Sequence, residues 1–112
     1  MNEWRHKLSI DIEDSDYNVY CVAFYREYEE YWGYMGMRDY RTYEPTNNFE
    51  LRVVPYINGH ADFSNCNLVS GSFGTKVFDK DMANKIWYNL KKLYMSYESL
   101  HNALAKEGLL VE

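Results

Sequence analysis

The spacing of apolar residues changes once along this chain, at Asp79. Before it, apolar and polar residues alternate in short runs. Leu8, Ile10 and Ile12 stand between Lys7, Ser9, Asp11 and Glu13, the period of a half-buried strand. After it, Met82, Ile86, Leu90, Leu93, Tyr97, Leu100 and Leu104 fall at steps of three and four, one stripe of an amphipathic helix. A chain divided this way is expected to be α+β. The expectation is an antiparallel meander of four to six strands over 1–78, with one long C-terminal helix over 79–107 packed on one face. The 112 residues suit a single domain, 1–112, able to bury its own core.

Turn residues divide the first part. Glu13 to Asp16 is a polar turn, and 17–28 reads as a long strand. That strand is apolar on both faces, so it is expected at the centre of the sheet. Gly33 and Gly36 mark a reversal, 37–43 a returning strand, and Pro45 to Asn48 a loop. A further strand over 49–57 contains Pro55 and is expected at an edge or with a bulge. Asn58-Gly59 suits a type I′ hairpin, with 60–69 pairing back and 76–78 a short last strand. Asp79 is placed to cap the helix and Gly108 to end it.

A helix over 80–107 would be about 42 Å long at ~1.5 Å per residue. A compact chain of this size is only about 34 Å across. Either the helix breaks, around Ser96 to Ser99, or its end overhangs and docks on a second copy to make a homodimer. Tyr88 and Met95, off the stripe and beside Lys91 and Lys92, would suit the second arrangement.

Charge narrows the classes of partner. Residues 1–63 carry twelve acids against six bases, and 64–112 five against six. An acidic first half disfavours nucleic acid, since phosphate contacts need clustered cations, and favours a protein partner with a basic surface. The first residues, MNEWRHKLSIDIEDSD, hold no apolar run of the signal-peptide kind. No stretch approaches the ~18–20 apolar residues that cross a bilayer. Cys21 and Cys66 are far apart and outside any metal or redox spacing. Together these features predict a cytoplasmic protein with reduced thiols, no membrane partner and no cofactor.

Catalytic constellations are sparse. Gly71-Ser72-Phe73-Gly74-Thr75-Lys76 resembles a phosphate loop only in its glycines, because its Lys follows the Thr instead of preceding it. His60, Asp62 and Cys66 would share one face of a regular strand. That could make a small metal site or a Cys-His pair, but a His after an Asn-Gly turn usually faces solvent. Glu27, Glu29 and Glu30 read as a solvated acidic edge that also discourages strand addition. No catalytic residue is assigned.

The strongest functional feature is aromatic. Tyrosines stand at 25, 28, 31, 34, 40 and 43, in steps of three with Met37 in the missing slot, and Trp32 and Arg41 lie among them. No common secondary structure repeats every three residues. In a strand this step sends successive rings to opposite faces, so only half can meet one core. Tyr, Trp, Arg and Met are the types enriched at protein interfaces. Tyr25, Tyr28, Tyr31, Trp32, Tyr34, Tyr40, Arg41 and Tyr43 are therefore expected to anchor a partner, with Glu27, Glu29 and Glu30 steering toward a basic surface. The expected class is a non-enzymatic inhibitor that occludes or locks a larger macromolecule. Small acidic proteins of this kind are common among phage antagonists of host defence, such as anti-CRISPR inhibitors, and among toxin-neutralising immunity proteins. A phage origin would place it in the host cytoplasm. Nucleic-acid mimicry and single-strand binding through stacked tyrosines are the alternatives, followed by a small enzyme or metal protein using His60, Asp62 and Cys66.

Overall fold

The computed structural model describes residues 2–35, 38–63 and 70–111, with the side chains of 34, 35 and 38–40 left undescribed. It is an α+β arrangement. Strands β1 (Glu3–Glu13), β2 (Val19–Met35), β3 (Arg38–Pro55) and β4 (Phe73–Gly74) precede helices α1 (Lys80–Lys92) and α2 (Tyr97–Lys106). The sheet is an antiparallel meander in the order β1-β2-β3-β4. As its two apolar faces predict, β2 lies between two neighbours.

One face of the sheet carries the main core. Val22, Phe24, Leu51 and Val53 from β2 and β3 meet Ile86 and Leu90 of α1 and Leu100 and Leu104 of α2. Phe24 packs edge-on against Trp87, ring centres 5.7 Å apart. On the opposite face, Cys21 and Val54 are covered by Ala61 and Phe63, and burial holds the Cys21 thiol protonated by raising its pKa. The short β4 is fixed by Thr75. Its backbone N–H donates to the Leu51 carbonyl and its Oγ1 accepts from the Leu51 N–H, each at 3.0 Å.

The helical stripe is divided in two. Asp79 caps α1 by accepting from the Met82 N–H at 2.9 Å. The helix ends at Leu93, and Tyr94 turns the chain with φ 50°. Ser96, in extended conformation, then caps α2. The break at 93–96 begins just ahead of the expected Ser96 to Ser99. It replaces the single long helix, so no rod overhangs the body. Leu93, placed on the apolar stripe by its spacing, becomes a cap residue and is 62% exposed. Met95 packs against the core instead of standing beside the exposed Tyr88. Gly108, φ 72°, ends α2 as expected: its N–H donates to Ala105 and that of Leu109 to Leu104, the pair of bonds of a Schellman cap.

Other expectations change in the strands. Residues 45–48 form no loop; β3 runs through them with a bulge, because the register shifts between Arg26 and Tyr28 of β2. Pro55 is the last residue of β3 and interrupts nothing. Asn58 and Gly59 have φ of 52° and 80°, as a type I′ turn requires. Of the expected returning strand over 60–69, the described residues pair only at His60, with Ile57. The last short strand is β4, upstream of 76–78, where Phe78 makes an isolated bridge to Phe49.

Candidate functional site: a two-faced β-arm

β1 begins opposite Tyr28, where Glu3 pairs with it. Past that point β2 and β3 continue alone, from Glu29 paired with Glu44 to Met35 paired with Arg38. This two-stranded arm extends about 23 Å at ~3.3 Å per residue. It gives the molecule a long dimension of 60 Å against 31 and 26 Å in the other two.

A bulge anchors the base of the arm. The Arg26 Nε donates to the Thr46 carbonyl at 2.8 Å. The Thr46 Oγ1 donates to the Glu27 carbonyl at 3.0 Å, and the Asn48 amide donates to the Glu27 carboxylate at 2.9 Å. Asn47 accepts from the Lys80 N–H at 3.1 Å, tying the same bulge to the start of α1. Glu27 thus holds the base of the arm together.

Paired residues share a face, so the register sorts the arm into two surfaces. The face continuous with the helix side carries Tyr28, Glu30 and Trp32 from β2 and Arg41 and Tyr43 from β3. Arg5 of β1 joins it, with its guanidinium 4.4 Å from the Tyr28 ring centre and 5.0 Å from that of Tyr43. Arg41 lies 5.6 Å from the Tyr43 ring and 5.6 Å from the Trp32 ring. Rings and guanidinium groups therefore alternate across three strands: Tyr28, Arg5, Tyr43, Arg41, Trp32. The Lys7 ammonium donates to the Tyr28 hydroxyl at 2.5 Å and lowers its pKa by doing so. Glu3 pairs with Arg5, and Glu30 lies 3.8 Å from Arg41.

The other face of the arm is acidic, with Glu29, Tyr31, Thr42 and Glu44. The Tyr31 hydroxyl donates to the Glu29 carboxylate at 2.7 Å. That bond, the charge of Glu29 and, last, that of Glu44 raise the Tyr31 pKa.

The residues singled out in the sequence are thus separated. Tyr28 and Tyr43 are half-buried in the ladder, and Trp32, at its outer end, is 68% exposed. Tyr31 is 48% exposed on the acidic face. Tyr25 stays on the body, edge-on to His6 and Phe63 and 4.6 Å beneath Arg52. Tyr34 and Tyr40 pair with Asp39 and Gly33 near the tip, and their side chains lie outside the described ones. The three acids divide as well: Glu29 faces one side, Glu30 the other, and Glu27 is bound in the bulge. Sequence reading missed Arg5 and Lys7. They are far from the tyrosine run along the chain, and only the pairing of β1 with β2 brings them to it.

The weaker constellations take structural parts. Thr75 is buried with its hydroxyl on Leu51, and the Gly71 carbonyl accepts from the Tyr97 hydroxyl at 2.6 Å. A Cβ on Gly71 would stand 3.3 Å from the Tyr20 ring, at a φ of 89°, which accounts for that glycine without a phosphate. His60 and Asp62 are exposed and outside any strand, and Cys66 lies outside the described residues. Among the described residues no three His, Cys, Asp or Glu side chains are grouped to hold a metal. No described helix is long and apolar enough to cross a membrane.

No protein-family model, curated protein or solved structure matches the chain. Its functional reading rests on the arm.

Proposed function

We propose that this protein is a non-enzymatic binding module that docks its β-arm on a larger protein and occludes or locks it. The observation that supports this reading is the projection of a two-stranded ribbon bearing Trp32 and Tyr31 well exposed. A two-stranded ribbon has no core of its own and is marginally stable alone. Large aromatic residues on such an element bury little within the chain, and they are the anchors that protein interfaces favour. Inhibition by occlusion, as in phage antagonists of host defence or immunity proteins, is the mode that a small body with one projecting arm suits.

Single-stranded nucleic acid is the second reading, favoured by the cations set among the rings on one face. Affinity capture from the native host tests both readings. The intact protein is expected to retain a stoichiometric protein partner that Tyr31→Ala/Trp32→Ala/Tyr34→Ala loses and Tyr88→Ala keeps. A folded triple variant that retains the same partner in full contradicts the reading. Recovery of nucleic acid alone, released by modest salt, supports the second.

A further inference from the structure

We infer that the ladder face of the arm takes an acidic segment of the partner protein, one that carries carboxylates and an aromatic or apolar side chain. This deepens the proposed function and rests on it. The sign is the reverse of the one that Glu27, Glu29 and Glu30 suggest in the sequence, because folding puts only Glu30 of those three on this face.

Charge complementarity supports the assignment. Arg5, Lys7 and Arg41 stand on the face with Tyr28, Tyr43 and Trp32, while the carboxylates among its described side chains, Glu3 and Glu30, are engaged with Arg5 and Arg41. A guanidinium held over a ring still has N–H donors to offer a carboxylate; in Arg5 these are the terminal ones, because its Nε donates to Glu3. These ring contacts also restrict its orientation in advance, so less freedom is lost on binding. The Arg41 side chain is 53% exposed and that of Arg5 44%, so both remain reachable.

The same ring contacts separate an acidic peptide from single-stranded nucleic acid. Base stacking needs open ring faces. Here Arg5 covers Tyr28 and Tyr43, and both tyrosines are half-buried. Of the described rings on the ladder, Trp32 is the one left widely exposed: an apolar anchor beside cationic forks, a pattern that fits carboxylates flanking a bulky side chain.

Fluorescence anisotropy with three labelled probes of equal length tests the assignment: a peptide of Glu, Asp and Tyr, a Lys-rich peptide, and oligo-dT. The acidic peptide is expected to bind tightest to the intact protein. Arg41→Ala should weaken it by roughly tenfold or more, and Arg41→Lys by nearly as much, because the fork is lost though the charge remains. Circular dichroism on each variant verifies the fold; Arg41 interacts with Glu30, Trp32 and Tyr43 of the arm, so the body is expected to be unchanged. Tighter binding of the Lys-rich peptide or of oligo-dT overturns the inference, as does acidic-peptide binding indifferent to both Arg41 variants. If the acidic peptide fails to bind while arm variants still lose the native partner, the partner class is wrong and the binding arm stands. If it binds through Arg41 while arm variants keep the native partner, the ladder assignment stands and the proposed function fails.

Discussion

At the scale of single residues, hydroxyls and rings hold the body together. Tyr20 is the clearest case. It stacks on Tyr97 with ring centres 4.1 Å apart, and its hydroxyl donates to Asp14 at 3.1 Å. Burial first, and then the bond to Asp14 and its charge, push its pKa up to about 12. Burial raises that of Tyr97 as well. A phenol raised in this way stabilises the fold fully below its ordinary value of ~10. That contribution is lost as pH climbs toward about 12, because the unfolded chain ionises first. Denaturant midpoints are therefore expected to fall steeply over that interval, and less steeply in Tyr20→Phe. Equal slopes in the two proteins would show that the Tyr20 proton is not linked to folding. Little of this was legible in the sequence, where twelve tyrosines look alike. Which of them meets Asp14 depends on how the turn at Asp14 to Asn18 folds back, with Asp14 also accepting from the backbone N–H groups of Asp16 and Asn18.

Among the elements, periodicity exposed the order of strands and helices, and local geometry decided their ends. The apolar stripe from Met82 to Leu104 runs without interruption in the sequence because α1 and α2 both turn their apolar faces to the same sheet. The break between them is carried by Tyr94 in a left-handed conformation and by the Ser96 cap, neither of which disturbs the stripe. A direct check follows from the cap. In an unbroken helix, Ser96→Ala would leave stability unchanged or raise it by up to about 0.5 kcal/mol, through the better helix propensity of Ala. With Ser96 capping α2, it should instead lower stability by about 0.5–2 kcal/mol in urea unfolding. The bulge at Thr46 to Asn48 was hidden for a different reason. Pro45 and two asparagines are turn residues, yet here their polar groups join Glu27 and α1, letting β3 bend without stopping. The tyrosine step of three was readable as alternation between faces: Tyr25 and Tyr31 do fall on one face, and Tyr28 and Tyr43 on the other. The cations that complete the ladder come from β1, beyond the reach of any local pattern.

Over the whole molecule, the arm accounts for the shape. A compact chain of this length has a radius of gyration near ~13 Å, and this one has 16.4 Å. Among the described residues, the buried core contains none between Glu29 and Glu44, so the body is built to fold without the arm. Glu29 and Glu44 are directly paired, and a two-residue Asn-Gly turn can close that pair as a type I′ hairpin. Replacing residues 30–43 with Asn-Gly gives a shortened chain that should keep cooperative unfolding and show a smaller radius of gyration in solution scattering. Capture of the native partner by this shortened, folded chain, side by side with the intact protein, tests the binding role of the arm most directly. The account predicts that the shortened chain folds and loses the partner; a folded, shortened chain that captures the partner as well as the intact protein would contradict it.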